Sequence, residues 1–99
     1  MTSQIVIRFS ASSLDDFDRL VALEDPLIAK FKGNHDVDGH DFGQGEFNIF
    51  ILTQNPENLV EELLNDTSLR ITELALSISQ RGLKSEDIQI VWSNALSEM

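Results

Sequence analysis

The most apolar run of the chain is Phe47-Asn48-Ile49-Phe50-Ile51-Leu52. A strand that is apolar on both of its faces belongs in the middle of a sheet or under a covering layer. The turn signal Gly43-Gln44-Gly45 comes just before this run, and the polar stretch 35–42 comes before that turn. A short glycine-containing loop between two extended segments is typical of a β-hairpin. The sequence therefore predicts a hairpin that joins a weak edge strand to a central strand.

Strands are also predicted near both ends of the chain. Ile5-Val6-Ile7-Arg8-Phe9 alternates with period two, and Ile88-Gln89-Ile90-Val91-Trp92 does so after position 87. Both runs are rich in the β-branched and aromatic residues that strands favour. We expect them to complete a sheet with the two strands of the hairpin.

Helices are predicted between the strands from apolar residues that recur at helical spacing. The first stripe consists of Leu14, Phe17, Leu20 and Val21. An interior proline costs a helix about 3 kcal/mol. We therefore expect a break at Pro26, where Asp25 caps a second short helix whose Leu27, Ile28 and Phe31 face the core.

A further helix is predicted from Asn55-Pro56-Glu57, which supplies a cap, a first-position proline and an acid. Its apolar stripe consists of Val60, Leu64, Thr67, Ile71, Leu74 and Ile78. This stripe predicts one long helix that ends at Gly82, a residue type favoured at helix C-termini.

The predicted order is strand, helix, strand, strand, helix, strand. This is the ferredoxin-like βαββαβ plan of an α+β protein. Its right-handed crossovers place two helices on one face of a four-stranded antiparallel sheet. The length of 99 residues suits a single domain over 1–99.

Strand alternation sorts the side chains into two faces. Those expected towards the helices are Ile5, Ile7, Phe9, Phe47, Ile49, Ile51, Ile88, Ile90 and Trp92. Those expected on the uncovered face, as a dimer or docking surface, are Val6, Asn48, Phe50, Leu52 and Val91. An exposed apolar patch of this kind often marks an association surface.

The charge is strongly acidic, with a net value of −10 from 17 acids and 7 bases. Such a chain repels nucleic acid and anionic membranes and attracts basic partners. It has no cysteine, so disulfides and thiolate chemistry are excluded. The N-terminal residues lack the pattern of a secretory signal, and no apolar run is long enough to span a bilayer. We expect a cytoplasmic protein without a cofactor.

The acids are unevenly placed, because no Lys or Arg occurs between Lys32 and Arg70. A base-free stretch of this kind predicts either a solvated face or a docking surface for a cationic partner. The residues that we expect to bind such a partner are Asp36, Asp38, His40, Asp41, Glu46, Glu57 and Glu61.

The densest polar cluster is His35-Asp36-Val37-Asp38-Gly39-His40-Asp41. On a regular strand Asp36, Asp38 and His40 would share one face and could bind a divalent metal. The cluster lacks the ligand spacing of an EF-hand, and the solvated edge strand of a sheet explains its charges. His40 beside Asp41 or Glu46 could perform acid–base chemistry. We nevertheless predict neither a metal site nor an enzyme.

One segment reads Val37-Asp38-Gly39-His40-Asp41-Phe42-Gly43-Gln44-Gly45-Glu46-Phe47-Asn48-Ile49-Phe50-Ile51-Leu52-Thr53. It resembles a segment of small uncharacterised bacterial proteins. Some of these resemble immunity proteins of bacterial toxin systems. The resemblance covers about a sixth of the chain, and it implies a bacterial origin more firmly than a function. It includes no established catalytic motif, and no functional residue is carried over from it.

These observations lead to one function and two alternatives. The first is a non-catalytic, acidic, immunity-type binding protein that neutralises a basic protein partner such as a toxin. The second is a homodimeric ferredoxin-like module that binds a small ligand or metal at its sheet interface. The third is a hydrolase-type enzyme that uses His40.

Overall fold

The computed structural model describes residues 2–11, 14–65, 75–82 and 88–93. These residues form strand β1 (Ser3–Ser10), helix α1 (Leu14–Phe31), strands β2 (Asp36–Gly43) and β3 (Glu46–Thr53), helix α2 (Pro56–Asn65), and strands β4 (Ala75–Gly82) and β5 (Ile88–Ser93). The predicted α+β class is confirmed.

The described strands form one antiparallel sheet in the order β2-β3-β1-β4-β5. The prediction of four strands is therefore wrong, because β4 occupies the last eight residues of the predicted long helix. The described residues form five strands where the ferredoxin-like plan has four, and β5 lies beyond β4 at the edge of this sheet.

The helical stripe after Leu64 was misleading, because Leu76-Ser77-Ile78-Ser79 also alternates with period two. Strand β1 lies between β3 and β4 and pairs with both, so β4 satisfies the backbone groups along the second side of β1. Thr67, Ile71 and Leu74 of the predicted stripe lie outside the described residues.

Helix α1 is continuous through Pro26, so the predicted break is wrong. Pro26 faces solvent, while Leu27 and Phe31 are fully buried. Burial of a side chain of that size contributes about 1.5–3 kcal/mol. The two buried side chains together offset the cost of the missing backbone hydrogen bond. Ile28 is 44% exposed, so its predicted place in the core is wrong. Beyond Phe31 the chain turns at Gly33, whose φ of 90° suits glycine.

The core lies between one face of the sheet and both helices. Helix α1 packs over β2 and β3, and α2 packs over β1. Six strand side chains predicted to face the helices are completely buried, namely Ile5, Ile7, Phe9, Phe47, Ile49 and Ile51. The helices contribute Leu20, Leu27, Phe31, Leu59 and Leu63 to the same cluster. The predicted alternation is confirmed for β1 and β3.

The turn between β2 and β3 consists of Gln44 and Gly45, with φ values of 55° and 79°. Positive φ at both central residues is the mark of the type I′ turn that two-residue hairpins prefer. Gly43 and Glu46 close the turn as a register pair. The predicted hairpin is therefore present.

Candidate functional site

A β-bulge at Asp38 determines which way the polar cluster of β2 points. Val37 pairs with Ile51 and Gly39 pairs with Phe50, so Asp38 is the extra residue. Gly39 has a φ of 146°, a conformation that side chains rarely adopt. After the bulge the alternation of faces is shifted by one residue.

The shifted alternation separates the three residues that a regular strand would have put on one face. Asp36 pairs with Leu52 on the uncovered face of the sheet, whereas His40 pairs with the buried Ile49 on the helix side. The expectation that Asp36, Asp38 and His40 share a face is therefore wrong. Among the described residues, no three His, Cys, Asp or Glu side chains are grouped to hold a metal ion.

Three exposed carboxylates remain along β2, the edge strand of the sheet. Asp36, Asp38 and Asp41 are all exposed, and in the described part of the chain none of them forms an ion pair with a basic side chain. We call these three residues the acidic edge. Their negative charge is left to solvent or to a partner.

His40 lies apart from the acidic edge, against helix α1. Its Nδ1 is 3.0 Å from Glu24 Oε2, and its ring stacks on Phe47 with 4.9 Å between centroids. The carboxylate beside His40 is thus Glu24, where the sequence suggested Asp41 or Glu46. None of the cavities described below is lined by His40.

The other three acids predicted to bind a partner are distributed over two further sites. Glu46 forms a 3.0 Å ion pair with Arg8, which lies on the neighbouring strand. Glu57 and Glu61 are exposed on α2, one helical turn apart. Helix α2 packs on the covered face of the sheet, so the seven predicted residues do not form one surface.

A buried histidine that the sequence analysis left without a role forms hydrogen bonds through both of its ring nitrogens. His35 Nδ1 is 2.7 Å from Thr53 Oγ1, and Nε2 is 3.2 Å from Glu62 Oε2. The Asn55 backbone N–H donates to the same Thr53 oxygen at 2.9 Å. Every bond is satisfied when the Thr53 hydroxyl donates to Nδ1 and the Nε2 hydrogen goes to Glu62.

This network connects three elements that meet at one corner of the molecule. His35 follows α1, Thr53 ends β3, and Glu62 lies on α2. No linear spacing predicts it, because 18 and 27 residues separate His35 from its two partners. Position 53 alone gave a signal, since a hydroxyl two residues before a helix cap commonly binds backbone N–H groups.

An open cleft of about 780 Å³ adjoins the corner and is lined by Lys32, His35, Asp36 and Thr53 among others. Its volume suits a small molecule. However, the His35 side chain is only 1% exposed, and both of its ring nitrogens already have partners. The corner is therefore built to hold elements together, and it presents no free imidazole nitrogen to a substrate.

The uncovered face of the sheet carries most of the predicted docking residues. Val6, Asn48, Phe50 and Leu52 are all partly exposed there. Val6, Asn48 and Phe50 line a shallow depression of about 210 Å³. The rest of its lining consists of Gln4, Ser79 and Arg81.

Strand β5 departs from the predicted sorting because it carries a second bulge. Ile78 pairs with Trp92 and Ser79 pairs with Ile90, which makes Val91 the extra residue. Ile90 therefore lies on the uncovered face, 60% exposed, and its predicted contact with the helices is wrong.

Val91 lines a cavity of about 350 Å³ beside α2, so it lies away from the predicted docking face. The side chain of Ile88 lies outside the described part of the structure.

Comparison with protein-family models, with curated proteins and with solved structures finds no match to this chain. No helix among the described residues has the length and hydropathy needed to cross a membrane.

Proposed function

We propose that this chain is a non-catalytic binding protein of the immunity type, which holds a basic protein partner at its acidic edge. The observation that carries the proposal is the set of three exposed carboxylates, Asp36, Asp38 and Asp41, on an edge strand. None of the three pairs with a basic side chain of the described residues. Electrostatic attraction of this kind accelerates association and makes it sensitive to salt.

The backbone of β2 adds a second source of affinity. Its inner side pairs with β3, and in the described residues no strand pairs with its outer side. An extended segment of a partner can bind such an edge by main-chain hydrogen bonds, while side-chain charges select the partner. Lysine or arginine side chains at alternate positions would meet the carboxylates.

The resemblance to immunity-type proteins covers this same region. Residues 37–53 comprise nearly all of β2, the Gln44-Gly45 turn and the whole of β3. The setting of His35 also favours binding over catalysis, since its side chain is buried and both of its ring nitrogens have hydrogen-bond partners.

The test is titration with a peptide of alternating lysine and valine, measured calorimetrically at several salt concentrations. The double variant Asp36→Asn/Asp41→Asn should bind at least tenfold more weakly than the unmodified chain. The matched control is Glu57→Gln/Glu61→Gln, which also removes two charges but lies on α2. An equal loss in both variants, or an affinity that ignores salt, would contradict the proposal.

A further inference from the structure

The two edges of the sheet differ sharply in charge. Strand β2 carries three aspartates, whereas β5 reads Ile88-Gln89-Ile90-Val91-Trp92-Ser93 and has no charged residue, proline or glycine. Natural proteins usually protect an edge strand with charges, prolines, bulges or a cover. Of these devices, the described part of β5 has only the bulge at Val91.

Apolar side chains are exposed on both faces of this edge. Ile90 is 60% exposed on the uncovered face, and Val91 is 38% exposed beside α2. On its inner side β5 pairs with β4, and no other described strand pairs with it. Within the described residues, the outer backbone groups of β5 therefore have no strand partner, and they lie between two exposed β-branched side chains.

We infer that β5 is the site at which two copies of this chain associate, by antiparallel pairing of β5 with the β5 of the second copy. Identical antiparallel strands pair about a two-fold axis, so the contact is self-complementary and closes after two chains. Each copy contributes five described strands, and the pairing joins them into one continuous sheet. The inference is independent of the basic partner proposed for the other edge.

The distribution of charge favours a second copy as the occupant of this edge. Neighbouring strands lie about 4.8 Å apart, so the acidic edge is about 19 Å from β5 across four spacings. That distance exceeds the Debye length of about 8 Å at physiological ionic strength. Pairing of two β5 strands brings no like charges of the strands together, whereas pairing of two β2 strands would bring their aspartates together.

The nearest described acids to β5 are expected to oppose the contact weakly. Glu57 and Glu61 line the same cavity as Val91, on the surface of α2. Because no ion pair holds the predicted interface, added salt should only screen this repulsion. The dimer should therefore tighten with salt, whereas binding of the lysine–valine peptide to β2 should weaken.

The experiment is sedimentation equilibrium of the full chain over a range extending to millimolar concentration. We expect a monomer–dimer equilibrium whose dissociation constant rises at least tenfold in Ile90→Lys and in Val91→Lys. The matched control Phe50→Lys changes the uncovered face away from the edge and should leave the constant within threefold. Circular dichroism of each variant checks that it is folded, as the exposure of both β5 side chains leads us to expect.

The three variants also distinguish the edge from the uncovered face. A dimer through the uncovered face would be weakened by Phe50→Lys and Ile90→Lys but not by Val91→Lys, and that pattern would overturn the inference. A chain that stays monomeric throughout would overturn it too. Hydrogen exchange gives a second readout, because β5 amides should become more protected as the wild type associates but not in Ile90→Lys.

Discussion

His35 Nδ1 lies 2.7 Å from Thr53 Oγ1, although 18 residues separate them in the chain. Both side chains are buried, and the Thr53 oxygen also accepts the backbone N–H of Asn55. A single hydroxyl thus connects the segment after α1 to the start of α2. Because β2 begins at Asp36, the residue after His35, this bond also positions the first carboxylate of the acidic edge.

Replacing Thr53 by valine should lower the free energy of unfolding by about 1–3 kcal/mol, because it leaves a buried imidazole nitrogen and the Asn55 N–H without a partner. Urea denaturation followed by circular dichroism measures the loss. The control Thr53→Ser keeps the hydroxyl and should cost less than Thr53→Val. Equal losses in the two variants would show that the methyl group, and not the hydrogen bond, stabilises this corner.

The effects of Thr53 and Glu62 on stability should be coupled through the ring of His35. Glu62→Gln alone should cost under about 1 kcal/mol, since the position is 38% exposed and the amide oxygen of glutamine can still accept the hydrogen from His35 Nε2. In a double-mutant cycle with Thr53→Val, the two losses should differ from additivity by at least about 0.5 kcal/mol. Strict additivity of the two losses would show that His35 does not couple the contributions of Thr53 and Glu62 to stability.

Substitution at Gly39 should be costly although there is space for a side chain. No heavy atom lies within 4 Å of a Cβ placed there, but the φ of 146° is strained for any other residue. Gly39→Ala should therefore destabilise the fold by about 1–3 kcal/mol. Gly43→Ala is the matched control on the same strand, because its surroundings are equally open and its φ is not in this region. We expect it to change stability by less than about 0.5 kcal/mol in the same urea titration.

The hairpin and the inner faces of β1 and β3 could be predicted because each depends on a local, unbroken pattern. The Gly43-Gln44-Gly45 signal determines the turn, and period-two alternation holds along β1 and β3, whose eight residues each pair without a bulge. Burial then follows directly from the alternation of apolar side chains.

The bulges at Asp38 and Val91 account for the errors in the predicted faces. Alternation assumes one residue for each position along the partner strand, so a single extra residue reverses every face beyond it. His40 and Ile90 were therefore assigned to the wrong sides. Only Gly39, beside the first bulge, gave a sequence signal for it, since an isolated glycine within a strand often marks a bulge.

The long-range features could not be read from the sequence in principle. Ile78 fits both a helical stripe and a strand, and only the unpaired second side of β1 decides between them. The bonds of His35 to Thr53 and Glu62 depend on how three elements meet, which no local pattern records. The separation of Glu57 and Glu61 from the acidic edge likewise depends on how α2 packs on the sheet, which the sequence pattern does not record.

Pro26→Ala should stabilise the protein. Pro26 lies within α1, where it cannot donate the helical hydrogen bond, and its exposed ring buries no core surface. Alanine restores the donor and has the best helix propensity, so the free energy of unfolding should rise by about 1–3 kcal/mol. The other proline supplies the control, because Pro56 occupies the first position of α2, where the backbone N–H has no partner within the helix. Pro56→Ala should leave the urea midpoint nearly unchanged, and a gain there as large as at Pro26 would contradict the assignment of the cost to the interior of α1.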